Sequence, residues 1–137
     1  MKSTHYRYTD VDNFVEQIRR QGWQSEIVQT EPGAFTVDMS IHRAPGLVAG
    51  RTRHSVANAR EIVTPENSRT FGVVVPERDR NRWCQHRFDE LVVQMMPRGD
   101  YAAANLAGHL GYQLAFSDER VAEVCAQLEV RRPLSED

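Results

Sequence analysis

Apolar residues recur along this chain with two different periods, and the switches between them mark the elements. Val11, Phe14, Val15 and Ile18 fall at i, i+3, i+4 and i+7, the single stripe of an amphipathic helix. Thr9 stands where an N-cap would, with Asp12 three residues on, and Asp10 and Asp12 put negative charge in the first turn. Arg19 and Arg20 suit the last turn and Gly22 the C′ position, so the pattern predicts a helix over 10–21. From Trp23 the period becomes two. Ser25–Gln29 is a short β-prone piece that ends at Glu31-Pro32-Gly33. Phe35, Val37, Met39 and Ile41 then alternate with Thr36, Asp38, Ser40 and His42, a half-buried strand with a polar face. Leu47–Val56, Arg69–Val75, Trp83–Phe88, the apolar Leu91–Met96 and His109–Phe116 read as further β segments between turn signals. Residues 101–108, rich in alanine, read as irregular. Val121, Val124, Cys125 and Leu128 restore the helical stripe, capped by Ser117 or Asp118, and predict a helix over 117–130 with a polar tail over 131–137.

Six to eight short strands with no helical pattern between them imply a mainly β fold, a sandwich or barrel, with one striped helix at each end. The chain has 137 residues, enough for one domain with a sizeable core and too short for two. Residues 1–9 are expected to form an arm, 23–116 the β-barrel. With 17 Lys and Arg against 19 Asp and Glu the net charge is −2, which argues against a nucleic-acid coat or a membrane-surface binder. Lys2 is the one lysine; every other fixed cation is an arginine, the better fork for carboxylate or phosphate. The opening Met1–His5 lacks the apolar run of a signal peptide, and Leu91–Pro97, the longest uncharged apolar stretch, is far short of the ~20 residues of a membrane span. The expected setting is the cytoplasm, with no membrane contact.

Candidate chemistry is sparse. Cys84 and Cys125 form no C-x-x-C pair. His5, His42, His54, His86 and His109 include no H-x-H pair to share one strand face, so neither a metal nor any cofactor is expected. Cys84 and His86 sit at i, i+2 and would share a face, but a small buried thiol beside a surface imidazole explains them equally. Asp10/Asp12 are explained by capping and Asp89/Glu90 by a turn. The run Arg78–Trp83 reads as a solvated hairpin turn diluted by Glu77 and Asp79. What remains is a hollow. Small barrels either fill with side chains or hold one small ligand. Leu47–Val56 puts Arg51 and Arg53 on one face and Gly50, Thr52 and His54 on the other, and the spacing leaves open which turns inward. An inward arginine needs an anion or a carboxylate partner. Gly50 and Gly72 leave room on their faces for a ligand.

Tyr8-Thr9-Asp10-Val11-Asp12-Asn13-Phe14, then Trp23, then Val28-Gln29 with Pro32-Gly33-Ala34-Phe35, then Arg69-Thr70-Phe71-Gly72-Val73-Val74-Val75 and Trp83, and finally Gly111–Phe116 leading into a helix, together form a pattern that resembles the N-terminal regulatory domain of AraC/XylS-type transcription regulators, over residues 6 to 130. The resemblance implies a cupin-like jelly-roll barrel that binds a small effector and dimerises through flanking helices. It also implies a bacterial-type regulator that touches DNA through a helix-turn-helix domain, for which this sequence shows no pattern after Leu128.

The expected function is therefore non-catalytic sensing of a small, anionic effector by a homodimer. Arg51, Arg53, His54, Phe71 and Trp83 are the expected lining residues, the arginines for an anionic group and the rings for contact area. Val121, Val124 and Leu128 are the expected dimer contacts, and the arm is expected to fold over the barrel mouth. Two alternatives stand beside this. One is a metal-dependent cupin-type enzyme using His42, His54 or His109. The other is a module that only dimerises, whose filled core would leave no cavity above roughly 300 Å³.

Overall fold

The computed structural model of the chain describes residues 2–74, 82–83, 86–87 and 92–128, with the backbone alone at 74, 82–83, 86–87 and 92. Among them are eleven strands and two helices: β1 (Lys2–Tyr8), α1 (Val11–Arg19), β2 (Gln24–Gln29), β3 (Val37–Ala44), β4 (Leu47–His54), β5 (Asn58–Val63), β6 (Ser68–Val74), β7 (Arg82–Trp83), β8 (His86–Arg87), β9 (Val92–Met95), β10 (Asp100–Asn105), β11 (Leu110–Ser117) and α2 (Asp118–Gln127). The fold is mainly β, as expected, in two antiparallel sheets. One runs β1-β3-β4-β11-β6-β9, the other β2-β5-β10-β7-β8. Within them β4 lies beside β11, β5 beside β10, β6 beside β9 and β7 beside β8. That nesting is one long hairpin rolled over itself, the jelly roll.

Three segments depart from the sequence reading, each for a physical reason. The expected arm is a strand: β1 pairs with β3 along its whole length, from Lys2 opposite Arg43 to Tyr8 opposite Val37. Its inner face is Thr4, Tyr6 and Tyr8, and the Tyr6 and Tyr8 rings stack with centroids 6.0 Å apart. Residues 100–105 form β10 rather than an irregular segment, because β5 and β7 pair on either side and supply the order that alanine's weak β-propensity does not. Asn58–Val63, where the periodicity marks no element, forms β5 with Asn58, Arg60 and Ile62 on one face. The described helices are also shorter than expected. Asp10, not Thr9, caps α1, its carboxylate accepting from the Asn13 N–H at 2.9 Å. Ser117 caps α2, accepting from the Arg120 N–H at 3.1 Å. The tail over 131–137 lies outside the described residues.

The core has two apolar parts. Phe14, Phe35, Val37, Met39, Ile41 and Val56 form one, and Ile62, Met96, Tyr101 and Ala103 the other. Buried polar groups also occupy the interior: His54, Asn58, Thr70, Asn105 and His109. Helix α2 buries no residue fully. It lies against β11 and β6, with Val121 and Val124 half-buried and Leu128 exposed. The Asp118 carboxylate in its first turn holds Arg98 at 2.8 Å.

Gly46 ties the β3–β4 turn to α2. Its φ is +69°, and a Cβ there would come within 2.8 Å of Arg120 Cβ. Gly46→Ala is expected to cost about 1–3 kcal/mol, from left-handed strain plus displacement of Arg120, read as a lower urea midpoint at unchanged slope.

Candidate functional site

Strand parity decides what the interior contains, because alternate side chains share a face. On β4 the inward set is Gly50, Thr52 and His54, and Arg51 and Arg53 are exposed on the other face. Arg53 stands opposite Asp38 in the outward row. Both arginines therefore leave the list of residues that line the interior. Phe71 leaves it too: its neighbours Thr70 and Gly72 are the buried pair, and its half-buried ring meets Phe116 edge to face at 6.0 Å. The side chain of Trp83 lies outside the described residues, as do Cys84 and the run from 78 to 81. Of the expected lining residues, the structure places His54 in the cavity.

The cation inside is Arg60, which shares the inner face of β5 with Asn58 and Ile62. Its residue keeps some surface, but its guanidinium is directed inward, with Nη1 3.5 Å from His54 Nε2. Asn105, inward on β10, satisfies the guanidinium when its carbonyl oxygen faces Arg60 Nε at 3.0 Å; its amide nitrogen then donates to His109 Nε2 at 3.2 Å. We assign that orientation, since the alternative donates only to Asn58 Oδ1 at 3.2 Å and leaves the guanidinium without this acceptor. The backbone locks the two histidines together: the His54 N–H donates to His109 O at 3.1 Å and the Gly108 N–H to His54 O at 2.8 Å.

These contacts set the tautomers. A guanidinium can only donate, so His54 Nε2 accepts and its proton sits on Nδ1; His109 Nε2 accepts from Asn105 and is likewise protonated on Nδ1. Both Nδ1 atoms are buried with no partner. Burial first, then the Arg60 charge, then His109 push the His54 imidazole down to about 2; burial first, then Arg60, pushes His109 down to about 4. Burial also pulls the Arg60 guanidinium below its usual value. At neutral pH the cluster is one cation between two neutral imidazoles that offer donors.

The cluster faces a cavity of about 70 Å³. Apolar side chains make up much of the rest of the lining: Met39 and Ile41 of β3 and Ile62 of β5, with Phe14 and Ile18 of α1 and Trp23 alongside. Among the described residues, no aspartate or glutamate lines it. At roughly 10–15 Å³ for each water-sized group, the space takes about five or six such groups, well below the ~300 Å³ of a typical small-molecule pocket.

The donors do not suit a metal. His42 stands on the outward face of β3, across the strand from the interior, and among the described residues no three His, Cys, Asp or Glu side chains gather to hold an ion. The two imidazoles that do meet have a guanidinium beside them, which repels a cation. Sequence reasoning misses Asn58 and Arg60 because it assigns no strand to Asn58–Val63, and misses Asn105 because residues 101–108 read as irregular. The available signal was the alternation Asn58-Arg60-Ile62, which puts an arginine in the same face as an isoleucine. Against protein-family models, curated proteins and solved structures, the chain has no match.

Proposed function

We propose that this chain is a non-catalytic sensing domain, of the regulatory kind its sequence resembles, that binds a compact anion inside the roll. The supporting observation is the Arg60 guanidinium, directed into a cavity that no carboxylate lines among the described residues. A buried cation without a counter-charge is costly, and a bound carboxylate removes that cost with the strong bidentate geometry arginine favours. The imidazoles fit the same role. Each has its basic nitrogen engaged and its N–H free, which makes it a donor to an anion rather than a general base.

Melting the protein with short-chain carboxylates tests this. At ~100-fold excess over Kd a ligand adds about 2.7 kcal/mol, several degrees in Tm for a domain of this size. Arg60→Met is expected to lose that gain and, without ligand, to be as stable as the wild type or more so, because an unpaired buried charge is gone. Arg51→Ala and Arg53→Ala keep the full response, since both side chains are exposed. Equal ligand shifts in wild type and Arg60→Met, or no shift with any acid, would overturn the assignment.

The cavity's size favours a second reading, a module whose core is nearly filled and which acts only by pairing. Val121 and Val124 on α2, with the exposed Leu128 at its end, then form the contact. A homodimer that Leu128→Glu dissociates, together with silence toward every acid, would establish it.

A further inference from the structure

The Arg60 guanidinium has a countable set of donors, because the group carries five N–H bonds. The Asn105 carbonyl takes two of them, at Nε and Nη2, and His54 Nε2 takes one, at Nη1. One N–H is left on each terminal nitrogen without an acceptor among the described residues. That pair matches the two oxygens of a single carboxylate. Away from the guanidinium the cavity lining carries no charge. Along β4 from His54, the register first puts Met39, Thr52 and Gly111 in line across the inner face, then Ile41, Gly50, Gln113 and Gly72. All of these line the same cavity as Arg60. The glycines leave bare backbone, and a Cβ built on Gly50 meets no atom within 4 Å. From the other sheet Ile62 lines the cavity, two residues from Arg60 on the same face of β5. One continuous space therefore starts at a cation and runs on over hydrocarbon and uncovered backbone.

We propose that the ligand is a short alkyl monocarboxylate, whose carboxylate takes the two remaining Arg60 N–H groups and whose tail lies over Gly50 against Met39, Ile41 and Ile62. Its length follows from the cavity of about 70 Å³, which takes about five or six water-sized groups. The carboxylate uses three of them, so the whole acid has about three or four carbons. Its single charge follows from the lining. Arg60 is the one arginine or lysine among the described lining residues, and both imidazoles are neutral at pH 7. A second negative charge would be buried without a partner, which excludes dicarboxylates and the phosphate dianion. This inference rests on the anion-binding reading and adds to it the charge, length and apolar tail of the anion.

The test compares acetate, propanoate, butanoate, hexanoate, succinate and phosphate by calorimetry at pH 7.5 on wild type, Arg60→Met, Gly50→Ala and Gly50→Val. In the wild type, affinity is expected to rise about fourfold for each methylene from acetate to butanoate. Hexanoate is expected to fall below butanoate, and succinate and phosphate to bind at least ~10-fold more weakly. Both Gly50 variants suit a strand and meet open space, so they stay folded. They should keep acetate binding and weaken butanoate, valine more than alanine, and the alanine variant gives the same reading if valine disturbs the strand. Suppose acetate binds as tightly as butanoate, or Gly50→Val leaves butanoate unchanged, while Arg60→Met abolishes binding of every acid. The tail site is then wrong and the anion site stands. Succinate or phosphate binding as tightly as butanoate overturns the single-charge assignment. If no acid binds the wild type, both readings fail together.

Discussion

Between pH 6.5 and pH 4.5 the protein is expected to lose on the order of 5 kcal/mol of stability, as much as many domains of this size possess. The loss comes from His54 and His109, which are 1 % and 4 % exposed. Unfolded, both imidazoles take a proton near pH 6.5. Folded, His109 resists to about 4 and His54 to about 2, because each is buried and faces Arg60. Above about pH 7.5 neither state binds these protons and the dependence is flat. Below about pH 6.5 the unfolded chain binds close to two more protons than the folded one, so stability falls by about 2.7 kcal/mol per pH unit. Urea midpoints from pH 7.5 to 4.5 measure the slope directly. His109→Gln should halve it, and a flat wild-type curve would mean that the imidazoles reach solvent.

Phe14→Ala should cost about 3–5 kcal/mol and lower Tm by roughly 10 °C or more. The ring is 2 % exposed and is the contact through which α1 holds the roll. It meets Tyr8 at 5.7 Å, Phe35 at 6.4 Å and, edge to face, His54 at 5.7 Å. Val15→Ala, one residue on and half-buried, should cost far less. Removing the Phe14 ring also uncovers His54, so the Phe14→Ala protein should show a shallower acid slope. A loss below about 1 kcal/mol would show that the helix is not anchored through this ring.

How much of this was legible in the sequence depends on where each residue sits. The stripe Val11, Phe14, Val15, Ile18 and the alternation Val37, Met39, Ile41 gave α1 and β3 because their apolar faces are buried against other elements, which the sequence pattern reports. Gly50 and Gly72, which lack side chains on their strands, leave room and do line the cavity. On β4, parity separated Arg51 and Arg53 from Gly50, Thr52 and His54, but which face turned inward depended on β3 and β11 pairing on either side. The expectation of an inward arginine was attached to the wrong strand. Arg60 lies in Asn58–Val63, where Glu61 and Arg60 mask the period-two signal and the partner strands β2 and β10 supply the order. The Arg60–His54–Asn105–His109 cluster joins strands far apart in the sequence, Arg60 to Asn105 and His54 to His109, and no local window brings them together.

The last strand of the roll has an unusual burden. β11 fits between β4 and β6, two strands that come far earlier in the chain and do not pair with one another. Until residues 110–117 arrive, the central sheet exists as two separate halves, each presenting an open backbone edge and an unfinished cavity wall. Most contacts are remote in sequence, so closure is slow and its nucleus cannot be local. A nascent chain on the ribosome must therefore hold a broken sheet in water until residues 110–117 have emerged, and chaperone dependence at that stage, rather than low final stability, is where synthesis of this protein would be most vulnerable.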